Sequence, residues 1–414
     1  MIDLMTYEPV GDKKNSDFFN QYRHKIYERR QSSGIQDLLG AMRGIVLQVE
    51  TGDALSYLEE AYHSTPYRLE SVRLGETHKI FVLRNRPEFP LLFVLEPLSA
   101  QFTDYITRLN RLYPLARAKQ NARYVGEIFH TKDIRATRDT LESHNIRFEY
   151  PGEVENPFYT ADHFLWTVPS DNTTNRVGYT DSDLSDLDAL SLGQAVQLTA
   201  EEQARLDRAD AFSDEKGFKS LILGIDHLAT RILAGEREDA ILEFLTMSPY
   251  YFWGAYNIAD QNSSTNVNRN PSVDDDKASP AKVFTANNTP SFVNSFENLP
   301  MPTEDFVRNF GRRMHHIAQE VKDGDHASGE KNIDYVVDTL KNSGMAFLAH
   351  VVGECTDKPN LKQIFSKHSA YTILITEYVE RCFGYEGFFT KDNVAALTQA
   401  AGQDEQYKHG NVFD

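Results

Sequence analysis

The 414-residue sequence predicts an α+β protein built from two tandem copies of one double module, each module a strand, a helix and then further strands (βαβββ). Three observations predict it. Strand-like apolar runs alternate with helical runs in the same order four times along the chain. The stretch IRATRDTLESHNIRF (134–148) aligns over IDYVVDTLKNSGMAF (333–347) at an offset of 199 residues. Ile134 then falls on Ile333, Asp139-Thr140-Leu141 on Asp338-Thr339-Leu340, Asn145 on Gly344 and Phe148 on Phe347. Asn and Gly best accept the left-handed backbone that closes a helix, so the shared residues specify the same helix, cap and following strand. Finally, the opening cycles align with Gly44-Ile45 over Gly224-Ile225, a register that sets Leu47 against His227.

Residues 1–42 read as a polar helical extension, with aromatics spaced through SDFFNQYRHKIYERR, expected to cap the first domain. The first domain is expected over 43–198. RGIVLQV opens it as a strand, Thr51-Gly52-Asp53 starts the helix ALSYLEEAY, and KIFVLR and LLFVLE follow as strands around the turn Asn85-Arg86-Pro87. A second cycle runs through the strand ARYVGEIFH, the helix TKDIRATRDTLESH and the strand IRFEYP. Residues 170–198 are polar and acidic and read as a linker or long loop. Asp181, Asp183, Asp186 and Asp188 within it lack the Gly and closing Glu of a calcium loop, so a solvated loop is expected. The second domain, 199–414, begins at a helix with Thr199 and Glu202 placed as a capping box. KSLILGIDHLA is its first strand and GEREDAILEFLTM its first helix. A polar insertion (260–282) precedes the last cycle, composed of RRMHHIAQEV, the helix NIDYVVDTLKNSG and the strand AFLAHVV.

The balance of 43 Lys+Arg against 61 Asp+Glu gives a formal net charge of −18, which repels phosphate backbones and anionic lipid and so argues against nucleic acid and membrane as partners. No apolar run reaches the roughly 18 residues of a membrane helix, and the start lacks the basic-then-apolar pattern of a signal peptide. The two cysteines, Cys355 and Cys382, are too few for a disulfide scaffold or a cysteine-based zinc site and suit a reducing cytoplasm.

Polar residues inside apolar strands carry the chemistry. Period-2 alternation sets His227 on one face with Leu221, Leu223 and Ile225. It puts His316 with Met314 and Ala318, leaving His315 to face the other way, and Glu377 with Ile373, Ile375 and Val379. A carboxylate among such neighbours is costly unless paired or metal-bound. Two imidazoles and one carboxylate on inward strand positions make a facial triad, which leaves open positions and suits non-haem Fe(II). The ligands lie 89 and 61 residues apart and meet only if the strands curve around one cavity. Residue pattern alone leaves open a structural, hydrogen-bonded role for each histidine and a Glu377–Arg381 ion pair in place of a metal. Leu47, set against His227, cannot bind a metal, so the first copy is expected to be a scaffold.

From 219 to 402 the sequence resembles the catalytic half of 4-hydroxyphenylpyruvate dioxygenase, a member of the vicinal oxygen chelate fold. GIDHLA is similar to the segment with that family's first iron-binding His, HHIAQEV to the second, and ITEYVER to the strand with the iron-binding Glu. The resemblance therefore implies His227, His316 and Glu377 as metal ligands, Fe(II) as cofactor, and a fold of two tandem vicinal-oxygen-chelate-type domains, each of paired βαβββ modules forming an open barrel. It implies substrate contacts at Gln363 (in LKQIFSK), at Asn393 and Phe388 (in GFFTKDNVAAL), and at Asn288 (in VFTANNTP). Packing roles are open for Phe388 and Gln363, and a helix-cap role for Asn393. The family's last helix begins with Asn-Phe, the Phe stacking on the substrate ring; here Val394 takes that place, which weakens the case for an aromatic substrate. The aromatics Tyr250, Tyr251, Phe252, Trp253 and Tyr256 either reshape the pocket or pack in the core.

The implied activity is oxidative decarboxylation of a 2-oxo acid, arylpyruvate-like, with O2 as co-substrate and oxygenation of the remainder. The resemblance leaves a 4-hydroxymandelate-synthase-like oxygenase, an extradiol ring-cleaving dioxygenase and a non-catalytic binding protein as alternatives on the same fold. Members of the family often form homo-oligomers, but no apolar pattern here marks an interface.

Overall fold

The structure is a computed structural model that describes residues 2–153, 156–182, 184, 187–190, 192–271, 279–290 and 300–402. In chain order its strands are β1 (Val10–Gly11), β2 (Leu39–Gln48), β3 (Arg68–Leu74), β4 (His78–Arg84), β5 (Leu91–Pro97), β6 (Arg123–Thr131), β7 (Phe164–Trp166), β8 (Arg176–Thr180), β9 (Gln194–Val196), β10 (Ile222–Arg231), β11 (Tyr251–Ile258), β12 (Ser263–Arg269), β13 (Ala281–Asn287), β14 (Arg313–Val321), β15 (Asn360–Phe365) and β16 (Ile375–Cys382). Among the described residues they form two eight-stranded mixed sheets, ordered β7-β8-β6-β2-β5-β4-β3-β9 and β15-β16-β14-β10-β13-β12-β11-β1. Seven strands of one sheet correspond one for one with seven of the other.

Hydrogen-bond register makes the correspondence residue-specific. Gly44 pairs with Ile128 and Leu91 in the first sheet, and His227 pairs with Ala318 and Ala281 in the second. The bulges at Met42/Gly44 and Val46/Leu47 recur at Ile225/His227 and Ala229/Thr230. The counterpart of His227 is therefore Gly44 rather than Leu47. Matching the Gly-Ile pairs slid the alignment by three residues, because Gly44 and Gly224 are glycine for unrelated reasons. Gly224 has φ +152° and leaves room for the Phe89 ring, whereas a Cβ on Gly44 would lie 2.8 Å from the Phe93 ring.

The helix alignment holds. Helices Ile134–Ser143 and Asn332–Asn342 end at Asn145 (φ 67°) and Gly344 (φ 101°), both left-handed. The chain then makes an isolated bridge in each half, Phe148 to Thr167 and Phe347 to Ser366. IRFEYP and AFLAHVV thus contribute isolated bridges instead of the expected strands. The capping box forms as expected, with Glu202 N–H donating to Thr199 Oγ1 (3.2 Å) and Thr199 N–H to Glu202 Oε2 (2.7 Å). The helix Ala54–Ser64 is capped from a neighbouring strand, Glu96 Oε1 accepting from Gly52 and Ala54 N–H (2.9 and 3.0 Å).

Three further expectations change. The acidic stretch 170–198 contains β8, which pairs with β6, and β9, which pairs with β3; Val177 and Tyr179 are buried there. Asp183 and Asp186 lie outside the described residues. The polar run 260–282 contains the buried strand β12, whose Asn266 and Asn268 amide groups donate to the Phe284 and Lys282 carbonyls (3.2 and 3.1 Å) and so find partners for buried donors. The N-terminal extension packs on the second half: β1 pairs with β11, and Arg30 on helix Lys13–Ser32 donates to the Leu245, Pro249 and Tyr250 carbonyls. Hydrophobicity marks a face for burial but not which surface receives it.

The halves share one core, locked by reciprocal contacts. Arg123 at the start of β6 donates to the Arg312 carbonyl, and Arg313 at the start of β14 to the Ala122 carbonyl. Lys282 and Glu127, both nearly inaccessible, form an ion pair at 2.8 Å between the halves. The two cysteines are joined in a disulfide, Cys355–Cys382, 27 residues apart, tying the loop before β15 to the end of β16. No helix among the described residues is long and apolar enough to cross a membrane.

Candidate metal centre

β10, β14 and β16 are adjacent, and His227, His316 and Glu377 project inward from them. Ala318 is the register partner of both His227 and Glu377, which brackets it from the two flanking strands. His227 Nε2, His316 Nε2 and Glu377 Oε2 form a nearly equilateral triangle with edges of 3.2, 3.0 and 3.1 Å. All three residues are buried. Ligand atoms about 2.1 Å from an ion and at right angles to one another would be about 3.0 Å apart. The triangle therefore has the size of one face of an octahedron, with the opposite face left for exogenous ligands. The donor set, two imidazoles and a carboxylate, fits Fe(II).

Neighbouring groups fix each ligand. Asp226 Oδ1 accepts from His227 Nδ1 (2.7 Å), which leaves Nε2 to point at the centre, and Arg381 pairs with Asp226 (2.8 Å). The carboxylate partner of Arg381 is thus Asp226, not Glu377. Gln363 donates to Glu377 Oε1 (2.6 Å), and Asn393 holds Gln363 through its Oε1 (3.2 Å) while also donating to the Leu361 carbonyl (2.9 Å). Such surrounding hydrogen bonds orient metal ligands and set their basicity. The β14 bulge makes His315 the extra residue of its strand, so it turns inward beside His316 instead of facing away. The two Nδ1 atoms lie 2.7 Å apart. With His316 Nε2 on an ion, His316 Nδ1–H donates to His315 Nδ1, and the His315 proton sits on Nε2, which is buried and makes no hydrogen bond.

Electrostatics favour a charged cluster. Burial opposes a charge on His227, but the Glu377 and Asp226 carboxylates outweigh it and hold the imidazole at about 9. Burial likewise opposes ionised Glu377, yet His227 and His316 draw it down to about 2. Asp226 is lowered too, burial being overcome by Arg381 and His227. The carboxylates are ready to neutralise a cation at the centre.

The centre opens on a cavity of about 50 Å³, lined by residues that include His316, Glu377, Gln363, Phe389, Val394 and Arg231. Among the residues expected at substrate, Gln363 and Val394 line it, although Gln363 is engaged by Glu377 and Asn393. Asn393 does not line it; its N–H caps on Thr390 Oγ1 (3.2 Å) and its side chain buttresses Gln363. Phe388 sits one residue off, its ring 5.5 Å from His227 and beneath Arg381, while Phe389 faces the cavity. Asn288 is exposed outside it, donating to the Ser263 carbonyl (3.2 Å). Trp253 and Tyr256 pack behind Phe388 and Phe389. Sequence reasoning missed Asp226, Arg231 and His315. The first two were findable, one adjacent to His227 and the other on its face at i+4; the third depends on a bulge.

No family model matches the sequence, and no curated protein does. Among solved structures, a mutant of 4-hydroxymandelate synthase from Streptomyces coelicolor matches with a TM-score of 0.59 at 15% identity, covering 88% of this chain and 98% of that one. A xylose isomerase-like TIM barrel/4-hydroxyphenylpyruvate dioxygenase fusion protein matches with a TM-score of 0.54 at 12% identity, over 91% of this chain and 58% of that one. The chain has the vicinal oxygen chelate fold. Within that fold the candidate centre occupies the second sheet, in the hollow between β10, β14 and β16.

Proposed function

We propose that this protein is a non-haem Fe(II) oxygenase that decarboxylates and oxygenates a 2-oxo acid, with His227, His316 and Glu377 holding the metal. One observation carries the reading: three buried donors on three strands, 3.0–3.2 Å apart, beside a cavity that His316 and Glu377 line. Bound Fe(II) would supply a Lewis acid and a redox centre at which a 2-oxo acid chelates and O2 is reduced. The chain's own residues do the rest. Asp226 and Arg381 hold the His227 ring, while Gln363 and Asn393 hold the Glu377 carboxylate. Phe365, Phe389, Val394 and Leu397 keep the cavity apolar beside the triad and exclude water. Arylpyruvates are the class the sequence resemblance suggests, though Val394 offers no aromatic wall.

The test is anaerobic reconstitution with Fe(II), addition of a panel of 2-oxo acids, and then admission of O2. The reading expects a weak charge-transfer absorption with the keto acid bound, followed by stoichiometric CO2 release. With 4-hydroxyphenylpyruvate, homogentisate or 4-hydroxymandelate would distinguish ring from side-chain oxygenation. Turnover of a catechol without CO2 would replace the reading by ring cleavage. A protein that takes up no stoichiometric metal would be a binding module.

A further inference from the structure

A second cavity, of about 420 Å³, lies where the helix Ala54–Ser64 of the first half faces the second half. The helix contributes Ser56, Glu59, Glu60 and His63, and residues from 340–346 and 366–371 close it from the other side together with Thr376. A few hundred Å³ is the size of a small-molecule site. Successive residues of the same segments serve different cavities. Phe365 and Glu377 line that of the metal centre, and Ser366 and Thr376 line this one. The acids of the wall are not treated alike. Glu59 forms an ion pair with Arg205. Glu60 has no cation: among the described residues its carboxyl takes a hydrogen bond from Ser369, with the phenols of Tyr57 and Tyr378 nearby. Lys367 stands at the rim, exposed, and makes no ion pair with it. Burial biases His63 towards its neutral form and pushes Glu60 up to about 7.

A carboxyl without a counter-ion in the wall of a roomy cavity is stabilised by a cation brought to it. A divalent metal is a poor fit, because it needs several oxygen or imidazole donors. Among the described residues the groups of three such donors lie elsewhere, none of them in this cavity. An organic ammonium ion needs only one carboxylate, to which it donates charge-assisted hydrogen bonds, and an apolar wall for its chain. Leu340, Met345 and Ala346 supply that wall. We propose that the junction cavity is a second binding site, taking a small primary ammonium compound with its –NH3+ on Glu60 and its aliphatic body against Leu340, Met345 and Ala346. The site stands independently of the oxygenase reading.

The test titrates the full chain at pH 8 and constant ionic strength with butylamine, butan-1-ol and butanoate. It reads Kd by saturation-transfer NMR and by the rise of Tm with ligand concentration. Expected is at least tenfold tighter binding of butylammonium than of either companion. Glu60→Gln keeps the shape of the side chain and should bring butylammonium within about threefold of butan-1-ol. It removes one of 61 acidic residues, so the general attraction of an acidic chain for cations barely changes. Ala346→Trp, at an exposed position that leaves Glu60 untouched, should fill the cavity and weaken butylammonium at least tenfold. Equal wild-type affinities, a preference that survives in Glu60→Gln, or binding that Ala346→Trp leaves unchanged would each overturn the site.

Discussion

The same three strand positions hold opposite chemistry in the two halves. Register places Gly44, Gly126 and Gly178 of the first sheet where the second has His227, His316 and Glu377. The space beside the glycines is filled with rings. A Cβ on Gly44 would come 2.8 Å from Phe93, one on Gly178 2.8 Å from Trp166, and one on Gly126 3.1 Å from Trp166 and 2.2 Å from the Arg176 carbonyl oxygen. Trp166 in turn packs on Phe158 and Phe164. One half fills the hollow of its sheet with a hydrophobic core, and the other gathers His227, His316 and Glu377 there. Two flanking positions follow the pattern, with Val125 and Gln48 where the second half has His315 and Arg231. The expected scaffold role of the first half rests on Leu47 in the sequence; register moves that comparison to Gly44, Gly126 and Gly178, none of which carries a donor side chain.

The largest effect should come from breaking the second half's triad. His227→Ala should abolish stoichiometric metal uptake, measured by metal analysis after dialysis, while circular dichroism retains the wild-type fold; uptake equal to wild type would remove His227 from the centre. Breaking the first half should instead cost stability. Gly178→Ala pushes a methyl group against Trp166 and should destabilise by about 2–4 kcal/mol, read as a lowered denaturant midpoint; an unchanged midpoint would show that the rings have space to yield. A smaller effect is expected at Asp226→Asn, which keeps the shape but weakens the acceptor for His227 Nδ1–H. Metal affinity should fall about 10–100-fold, and a change under twofold would make Asp226 a bystander.

The smallest effect probes the junction of the halves. Glu60, on the helix Ala54–Ser64, is pushed up to about 7 by burial, partly offset by a hydrogen bond from Ser369 of the other half. Its folded value exceeds its unfolded one, so the folded state keeps a proton that the unfolded state releases. Stability therefore falls as pH rises from about 4.5 to 7. Glu60→Gln removes that loss. It should be more stable than wild type at pH 8, by on the order of 1–3 kcal/mol, with the gap closing near pH 4.5. A gap that is constant with pH would place the effect elsewhere.

Much of this was legible in the residues. The helix–cap–bridge repeat could be read because Asn145 and Gly344 answer a local backbone demand, left-handed φ, that few residue types meet. The three triad residues could be read because a charge in an apolar strand needs a reason. Where reading failed, the deciding contact was remote. Phe388 and Phe389 are adjacent, and only packing chose which faces the cavity. Asn393 looked like a substrate contact until Gln363 and Leu361 claimed its amide. The polar β12 looked like an insertion, yet the amide groups of its Asn266 and Asn268 donate to carbonyls of β13.

By itself the sequence determined the duplicated α+β architecture, the caps at Thr199, Asn145 and Gly344 and the identity of the unusual polar residues, because periodicity, capping and burial cost are local properties of a chain. The tertiary structure decided which glycines oppose the triad, that a bulge turns His315 inward, that the N-terminal extension crosses to the second half, and that Arg231 shares the cavity of the centre. Those facts depend on strand register and on partners tens to hundreds of residues away, where a shift of one residue in pairing reverses the face that a side chain presents.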